Sequence, residues 1–371
     1  MKTIVLISAN TSWYLYNFRK GTIKTLLDLG YEVIAVSPKD QYASLLEELG
    51  ASHYDIRIDR GGTNPVKDAL TFISFLKLYI SLRPKVILSF TPKNNIYGGL
   101  AARLLSIPAV NNIAGLGTVF INDNFLAKLT KFLYGISIKN SKAVFFQNNE
   151  DMSLFLNDGL VRPEQAIRIP GSGVDLSRFL VYPTPDTSVT RFILVARMLY
   201  DKGIQYYVDA AHRLKEKYGD TVQCHLLGPM DENAPSGIQL KDIDRWQSEG
   251  AIIYLGTTDS VEDVLKDMDC MVLPSYYREG VPKSLLEGAA MGKPIITTDN
   301  VGCREVVDHG VNGYLCDPKS CESLLEQMEK IINSSVDERN VMGKSSRKKV
   351  EVEFDEKIVI EKYLDVIRSV C

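Results

Sequence analysis

The first half of the chain has no cysteine. All six cysteines lie between Cys224 and Cys371, and no two form a C-x-x-C pair. That spacing argues against a disulfide framework and against a zinc site. Cys270 stands beside Met271 and Val272, so scattered thiols read as core packing in a reducing compartment. Charge of one sign is also missing. The net charge is -3, without the basic excess of a nucleic-acid binder. No apolar run is long enough for a transmembrane helix. The N-terminal MKTIVLISAN has a short apolar run and no small-residue cleavage site, so it reads as a buried first strand rather than a signal peptide. The default is a cytoplasmic enzyme. Gly171-Ser172-Gly173 lacks the third glycine of a dinucleotide fingerprint, which disfavours an NAD-dependent oxidoreductase. No Ser/His/Asp arrangement stands out. The histidines are isolated, and His225, inside a strand pattern, reads as a satisfied core residue.

What is present is material for two α/β domains. The 371 residues are 45% hydrophobic and 24% charged, ordinary for a globular protein of two domains. Short apolar runs, TIVLIS (3–8), EVIAVS (32–37), KVILSF (85–90), PAVNNI (108–113) and AVFFQN (143–148), alternate with amphipathic stretches at 18–29, 41–49 and 66–82. The second half repeats the pattern, with RFILVARM (191–198), VQCHLLG (222–228), AIIYLG (251–256), CMVLPS (270–275) and KPIITTD (293–299). Helical stretches lie there at 203–218, 260–268 and 283–291. Continuous β-branched runs indicate strands buried on both faces of a parallel sheet. The Pro/Ser/Thr-rich segment 180–190 is the linker candidate. The expectation is a first Rossmann-like domain over 1–182 and a second over 190–352. Residues 353–371, with a helix over about 355–370, either extend the second domain or pack back on the first. Two doubly wound domains would face each other across a cleft. Ligands of open α/β sheets bind beyond the carboxyl ends of the strands, which directs attention to loops such as 8–16, 91–98, 113–119, 197–203, 256–260 and 275–283.

Two of these loops carry chemistry. Glu279-Gly280-Val281-Pro282-Lys283-Ser284-Leu285-Leu286-Glu287 follows the strand CMVLPS. Pro282 suits the first turn of a helix, and Gly280 lets backbone approach a ligand. The N–H groups of Lys283 and Ser284 would then leave the helix start as an anion site for a diphosphate. Glu287 can accept hydrogen bonds from paired ribose hydroxyls, with Glu279 nearer the sugar. The bland alternative is a solvated acidic loop. Arg197 and Lys202, after the strand RFILVA, can converge on one diphosphate; alone, they read as an ordinary solvated loop.

Together, VARMLYDKG, EGVPKSLLE, Pro274-Ser275, Gly173-Val174-Asp175 and Asn312-Gly313-Tyr314-Leu315 resemble the family 4 glycosyltransferases of GT-B fold, which are retaining enzymes. The resemblance spans nearly the whole chain. It is nearest to bacterial enzymes acting on undecaprenyl-diphosphate-linked sugars, whose Gly-Leu-Gly loop is matched by Gly115-Leu116-Gly117 and whose aromatic-Arg segment is matched by Phe18-Arg19. The resemblance implies that Arg197 and Lys202 hold the donor diphosphate. It implies that Glu287 binds the ribose, that Glu279 contacts the donor sugar, and that the backbone of Gly280 and Val281 completes the pocket. Gly256 and Thr257 would grip the base, and Asn10 would face the diphosphate. The donor would be a nucleotide sugar, with UDP expected, and no cofactor or metal is implied. On the acceptor side the candidates are Arg19, Lys93, Asn94, Asn112, Gly115 and Gly117. The sequence departs from the family where a first-domain His or acid often stands. The loops read Thr91-Pro92-Lys93-Asn94 and Asn112-Ile113-Ala114-Gly115, and neither Pro92 nor Ala114 does acid–base work. A nucleotide-sugar 2-epimerase or a non-catalytic scaffold of glycan assembly are the alternatives.

Two weaker signals remain. Asp267-Met268-Asp269 is formally a D-x-D, but it ends a helix before a buried strand and reads as structural. The stretch Phe125–Lys142, with Lys128, Lys131, Lys139 and Lys142, either lies on an anionic membrane surface or packs on the first domain with a solvated lysine face.

Overall fold

The computed structural model describes residues 2–59, 64–116, 125–183 and 187–371. Gly117 and part of the 180–190 linker lie outside the described residues. The chain forms two compact units, Met1–Ser172 with Glu356–Cys371, and Gly173–Asp355.

In the first unit the strands are β1 (Ile4–Ser8), β2 (Glu32–Ser37), β3 (Ser52–Asp55), β4 (Val86–Ser89), β5 (Ala109–Ile113), β6 (Ala143–Phe146) and β7 (Ala166–Arg168). All pair in parallel, in the order β3-β2-β1-β4-β5-β6-β7. The connecting helices are α1 (Ser12–Asp28), α2 (Ala43–Glu48), α3 (Pro65–Leu82), α4 (Gly99–Leu104), α5 (Phe125–Ile138) and α6 (Asn149–Asn157), with a π-turn at Asn94–Gly98 before α4. Along β1, Val5 and Ile7 enter one core and Leu6 another. Both faces of the sheet are thus covered, which is why the strand runs lack period-2 alternation.

The second unit has β8 (Thr190–Val195), β9 (Val222–Leu227), β10 (Ile253–Tyr254), β11 (Cys270–Leu273), β12 (Ile295–Thr298) and β13 (Gly313–Cys316), in the parallel order β10-β9-β8-β11-β12-β13. Its helices are α7 (Ile204–Tyr218), α8 (Leu240–Ser248), α9 (Val261–Leu265), α10 (Lys283–Ala290), α11 (Cys321–Asn333) and α12 (Val336–Glu353). The last helix, α13 (Glu356–Arg368), belongs to the first unit. Val359, Ile360, Tyr363, Leu364 and Ile367 are buried there against Val5, Ile7, Val33 and Val86.

The unit boundary falls at Ser172/Gly173, earlier than the 182 expected. Val174 bridges to Asp355, and Phe179 is buried in the core of the second unit. These contacts also carry the end of that unit to Asp355 rather than 352. The helix after β11 starts at Lys283; Pro282 caps it with extended backbone (φ -63°, ψ 118°) instead of standing inside its first turn. Among the described residues no helix is long and apolar enough to cross a membrane.

Each sheet reverses its strand order once, between β1 and β4 in the first unit and between β8 and β11 in the second. In an open α/β sheet that reversal opens a crevice at the carboxyl ends of the two strands.

Candidate active site

In the second unit the crevice lies between the loops after β8 and β11. The β8 loop makes a 3-10 turn at Tyr200–Lys202 and leaves through Gly203 at φ 77°. A side chain at 203 would overlap the Pro274 carbonyl oxygen, so glycine lets this turn close on the β11 loop. The Asp201 carbonyl accepts from the N–H groups of Tyr276 and Tyr277, at 3.1 and 3.2 Å. Backbone thus fixes one loop to the other.

Across that seam the Lys202 ammonium pairs with Glu279 Oε1. The two side chains are 16% and 11% exposed, so the pair is largely withdrawn from solvent and is screened less than a surface pair. Ser275 Oγ donates to the same Glu279 oxygen at 2.8 Å, and the Tyr277 ring lies 5.4 Å from the ammonium. Lysine has three N–H donors, and one faces Glu279. Gly280, next along, is pressed by Gly302, whose φ of 80° and lack of a side chain leave room for the Gly280 carbonyl. Arg197 stands apart from Lys202. Its Nη1 pairs with Asp231 at 3.1 Å, and its side chain is 57% exposed. The two cations flank one crevice but do not touch the same partner.

The start of α10 has no side-chain cap. The positive end of the helix dipole lies beside this ion pair. On the same helix Glu287 is half-buried. Burial pushes its carboxyl up to about 7, against the pull of Lys283 and Arg178 and with the push of Glu262. No hydrogen-bond donor reaches its carboxylate among the described residues. Arg178 is itself clamped by Glu262, Nε to Oε1 at 2.8 Å and Nη2 to Oε2 at 2.7 Å. Sequence reasoning missed this pair. Its partners are far apart in the chain, and the nearest signal was the Gly173-Val174-Asp175 turn, whose Asp175 accepts from the Arg178 N–H at 3.2 Å. Gly256 follows β10 at φ 70°, and its carbonyl accepts from the Gly228 N–H at 2.8 Å. Thr257 beside it is exposed.

The acceptor-side candidates stand at the switch point of the first unit or beside it, and several need correction. Asn10, the donor-side candidate in this unit, is half-buried just after β1. Arg19 is 1% exposed, with Tyr14, Phe90 and Tyr363 around its guanidinium. Asn94 is fully buried and donates to Thr91 Oγ1 at 2.6 Å. Asn112, 1% exposed, takes the Tyr363 hydroxyl proton and donates to the Ser89 carbonyl at 3.2 Å. These three side chains hold the fold together and are closed to direct contact with an acceptor. Lys93 is tied to Asp68 at 2.6 Å. With Gly115 it lines an apolar cavity of about 970 Å3 among α3, α4 and α5, walled by Phe72, Leu100, Leu116 and Leu133. Gly117 lies outside the described residues.

Asp269 of the D-x-D is fully buried and accepts from the Arg191 N–H at 2.7 Å; burial raises its pKa. It acts as a structural acceptor. His225, 6% exposed, bonds through Nδ1 to the Phe192 carbonyl oxygen, as its strand position suggested. Lys131 is paired with Asp158 at 2.9 Å, whereas Lys128, Leu129 and Phe132 of α5 are exposed.

Comparison with known proteins meets this geometry at both units. The family model for glycosyl transferases group 1 matches residues 184–349, and that for glycosyl transferase 4-like proteins matches residues 4–148. An N,N'-diacetylbacillosaminyl-diphospho-undecaprenol alpha-1,3-N-acetylgalactosaminyltransferase of Campylobacter jejuni is 29% identical over 94% of this chain and 94% of its own length. A UDP-Gal:alpha-D-GlcNAc-diphosphoundecaprenol alpha-1,3-galactosyltransferase of Escherichia coli is 24% identical over 82% of this chain and 79% of its own. Among solved structures, Anabaena HepE in complex with UDP and glucose superposes with a TM-score of 0.80 at 14% identity, covering 99% of this chain and 100% of that one. Both units thus match glycosyltransferase family models, and the chain is an enzyme of the hexosyltransferase type.

Proposed function

With these matches as premise, we propose that the chain moves a hexose or N-acetylhexosamine from a UDP-sugar to a hydroxyl of an undecaprenyl-diphosphate-linked sugar, with retention at the anomeric carbon. The second unit would hold the donor and the first would receive the acceptor. The observation that carries the reading is the Lys202–Glu279 pair beside the uncapped start of α10. When the glycosidic bond to the diphosphate breaks, negative charge grows on the leaving phosphate oxygens. The free N–H donors of Lys202, the Arg197 guanidinium and the α10 terminus are cations or dipoles suited to that charge. They supply what a divalent metal supplies elsewhere, so we propose turnover without one; chelation by EDTA should leave the rate unchanged. Glu279 holds Lys202 in place, and the donor sugar would contact it. Glu287 would accept from the ribose hydroxyls that its unfilled carboxylate lacks. The leaving phosphate oxygen takes the acceptor proton, which fits the absence of an acid or His at Pro92 and Ala114.

The relatives' donor and acceptor, as their names state them, support the same choice. The exposed Lys128, Leu129 and Phe132 of α5 fit peripheral contact with an anionic membrane, which a liposome-flotation assay reads. A thermal-shift panel of UDP-, GDP- and TDP-sugars tests the donor. Selective stabilisation by UDP-sugars is expected, and equal silence of all three would overturn the reading. Release of epimerised nucleotide sugar without any acceptor would favour the epimerase alternative instead.

A further inference from the structure

At the switch point of the first unit a cation is buried without a bonded carboxylate. Arg19 donates from Nη1 to the Tyr363 hydroxyl at 3.4 Å and from Nη2 to the Tyr14 hydroxyl at 3.2 Å. Its guanidinium carbon lies 4.1 Å from the Phe90 ring centroid. Its Nε, buried, has no hydrogen-bond partner among the described residues. Glu356 contributes to its electrostatic surroundings without bonding to it. A buried charge whose hydrogen-bond partners are all neutral is costly, and Glu356 offsets part of its field.

The two tyrosines that hold Arg19 differ in what they do with their own protons. Tyr363 is fully buried and donates to Asn112 Oδ1. Tyr14 is half-exposed, and its hydroxyl proton has no acceptor among the described residues. Its ring is fixed, stacked on Phe18 at 4.8 Å with planes 5° apart. Tyr14 stands in the first turn of α1, beyond the carboxyl end of β1, and its hydroxyl lone pair is committed to a cation. Accepting from a cation polarises an O–H and strengthens it as a donor.

We propose that the Tyr14 hydroxyl donates a hydrogen bond to the diphosphate of the acceptor, with the buried charge of Arg19 behind it. A polarised donor over a positive field favours a strongly accepting anion above a sugar hydroxyl. Arg19 is then a positioning residue that acts through Tyr14, which explains how a closed arginine serves an anionic ligand. The proposal rests on the lipid-diphosphate acceptor of the preceding section. A diphosphate also occurs in the donor, and the assay separates the two sources.

The full chain is titrated with farnesyl diphosphate, with farnesol and with UDP, read by intrinsic fluorescence. Only two tryptophans are present. Trp13 is exposed and packs edge-on against Phe18 at 5.6 Å, whereas Trp246 is buried in the second unit. Wild type is expected to prefer farnesyl diphosphate to farnesol. Tyr14→Phe, which keeps the stacked ring, should weaken farnesyl diphosphate binding roughly tenfold, the loss expected of a hydrogen bond to a charged group. UDP affinity should stay as in wild type. Tyr363→Phe disturbs the same arginine but keeps the Tyr14 donor, so its affinity for farnesyl diphosphate should fall much less. Equal losses in the two variants would reduce the effect to packing and overturn the proposal. So would unchanged binding in Tyr14→Phe, no preference for the diphosphate in wild type, or a loss confined to UDP. Failure of UDP to bind wild type would strike the donor reading alone.

Discussion

Replacing Glu287 with Gln should make the ligand-free protein more stable at pH 8 and a poorer binder of UDP. The half-buried carboxyl has its pKa pushed from 4.5 up to about 7, burial being the largest cause. An unfolded chain ionises this group near 4.5 and the folded one near 7. The folded state therefore binds the extra proton between those values. The stability that goes with it is complete below pH 4.5 and is lost as pH rises through 7. Each pKa unit corresponds to ~1.4 kcal/mol, so the ionised carboxylate weakens the fold by ~3 kcal/mol at most above pH 7. Partial exposure reduces that to about 1–2 kcal/mol. Glutamine carries no charge to bury, so the variant should melt several degrees higher than wild type at pH 8, with no such gain at pH 4.5. Nucleotide binding runs the other way. If the carboxylate accepts from ribose hydroxyls, only the ionised form binds well, and at pH 6 roughly a tenth of the protein is in that form. Affinity for UDP should fall about tenfold from its plateau near pH 8, and the profile should flatten in Glu287→Gln. Calorimetric melting at pH 4.5 and 8, with UDP titrations from pH 5.5 to 8.5, measures both. A Gln variant equal to wild type in stability at pH 8, or a flat wild-type binding profile, would refute the reasoning.

Three further outcomes follow from the same unit. Lys202→Met leaves Glu279 withdrawn from solvent without its cation and removes a donor aimed at the leaving diphosphate. Initial rates of sugar transfer should fall about 100- to 1000-fold, with partial recovery in Lys202→Arg. Arg178→Met removes a cation that holds the Glu287 carboxyl down, so the midpoint of the UDP-binding pH profile should move upward. Gly302→Ala places a β-carbon on the Gly280 carbonyl oxygen at a backbone φ of 80°. Thermal denaturation should show a loss of more than ~1 kcal/mol, together with weaker UDP binding.

The strand runs were legible because both faces of each sheet are covered. EVIAVS coincides with β2, and continuous burial leaves a continuous apolar signature. The largely exposed edge strand β3, SHYD, carries no such run and went unread, as did the short β7 and β13. The loops that carry Arg197, Lys202, Glu279 and Glu287 could be placed because each residue is local to a strand end or a helix start. Their pairing could not. Lys202 meets Glu279 and Arg178 meets Glu262 only once the crossovers bring β8, β9 and β11 side by side. The acceptor side misled for a related reason. Arg19 and Asn112 are polar residues near strand ends, which is where ligand residues stand, but Tyr363 from the far end of the chain closes over both. No local pattern announces a cap that arrives 344 positions later.

Placing α13 in the first unit has a consequence for how the protein is made. Synthesis runs from the N-terminus, so the second unit, Gly173–Asp355, is complete before the first has received its last helix. Until residues Glu356–Arg368 leave the ribosome, the core around Val5, Ile7 and Val86 lacks Val359, Ile360, Tyr363 and Ile367. During that interval the nascent chain presents an uncovered apolar face to chaperones and proteases, and the Arg19 cage lacks one wall. Arrival of the last helix closes both at once, so a product cut short before Tyr363 would leave both open.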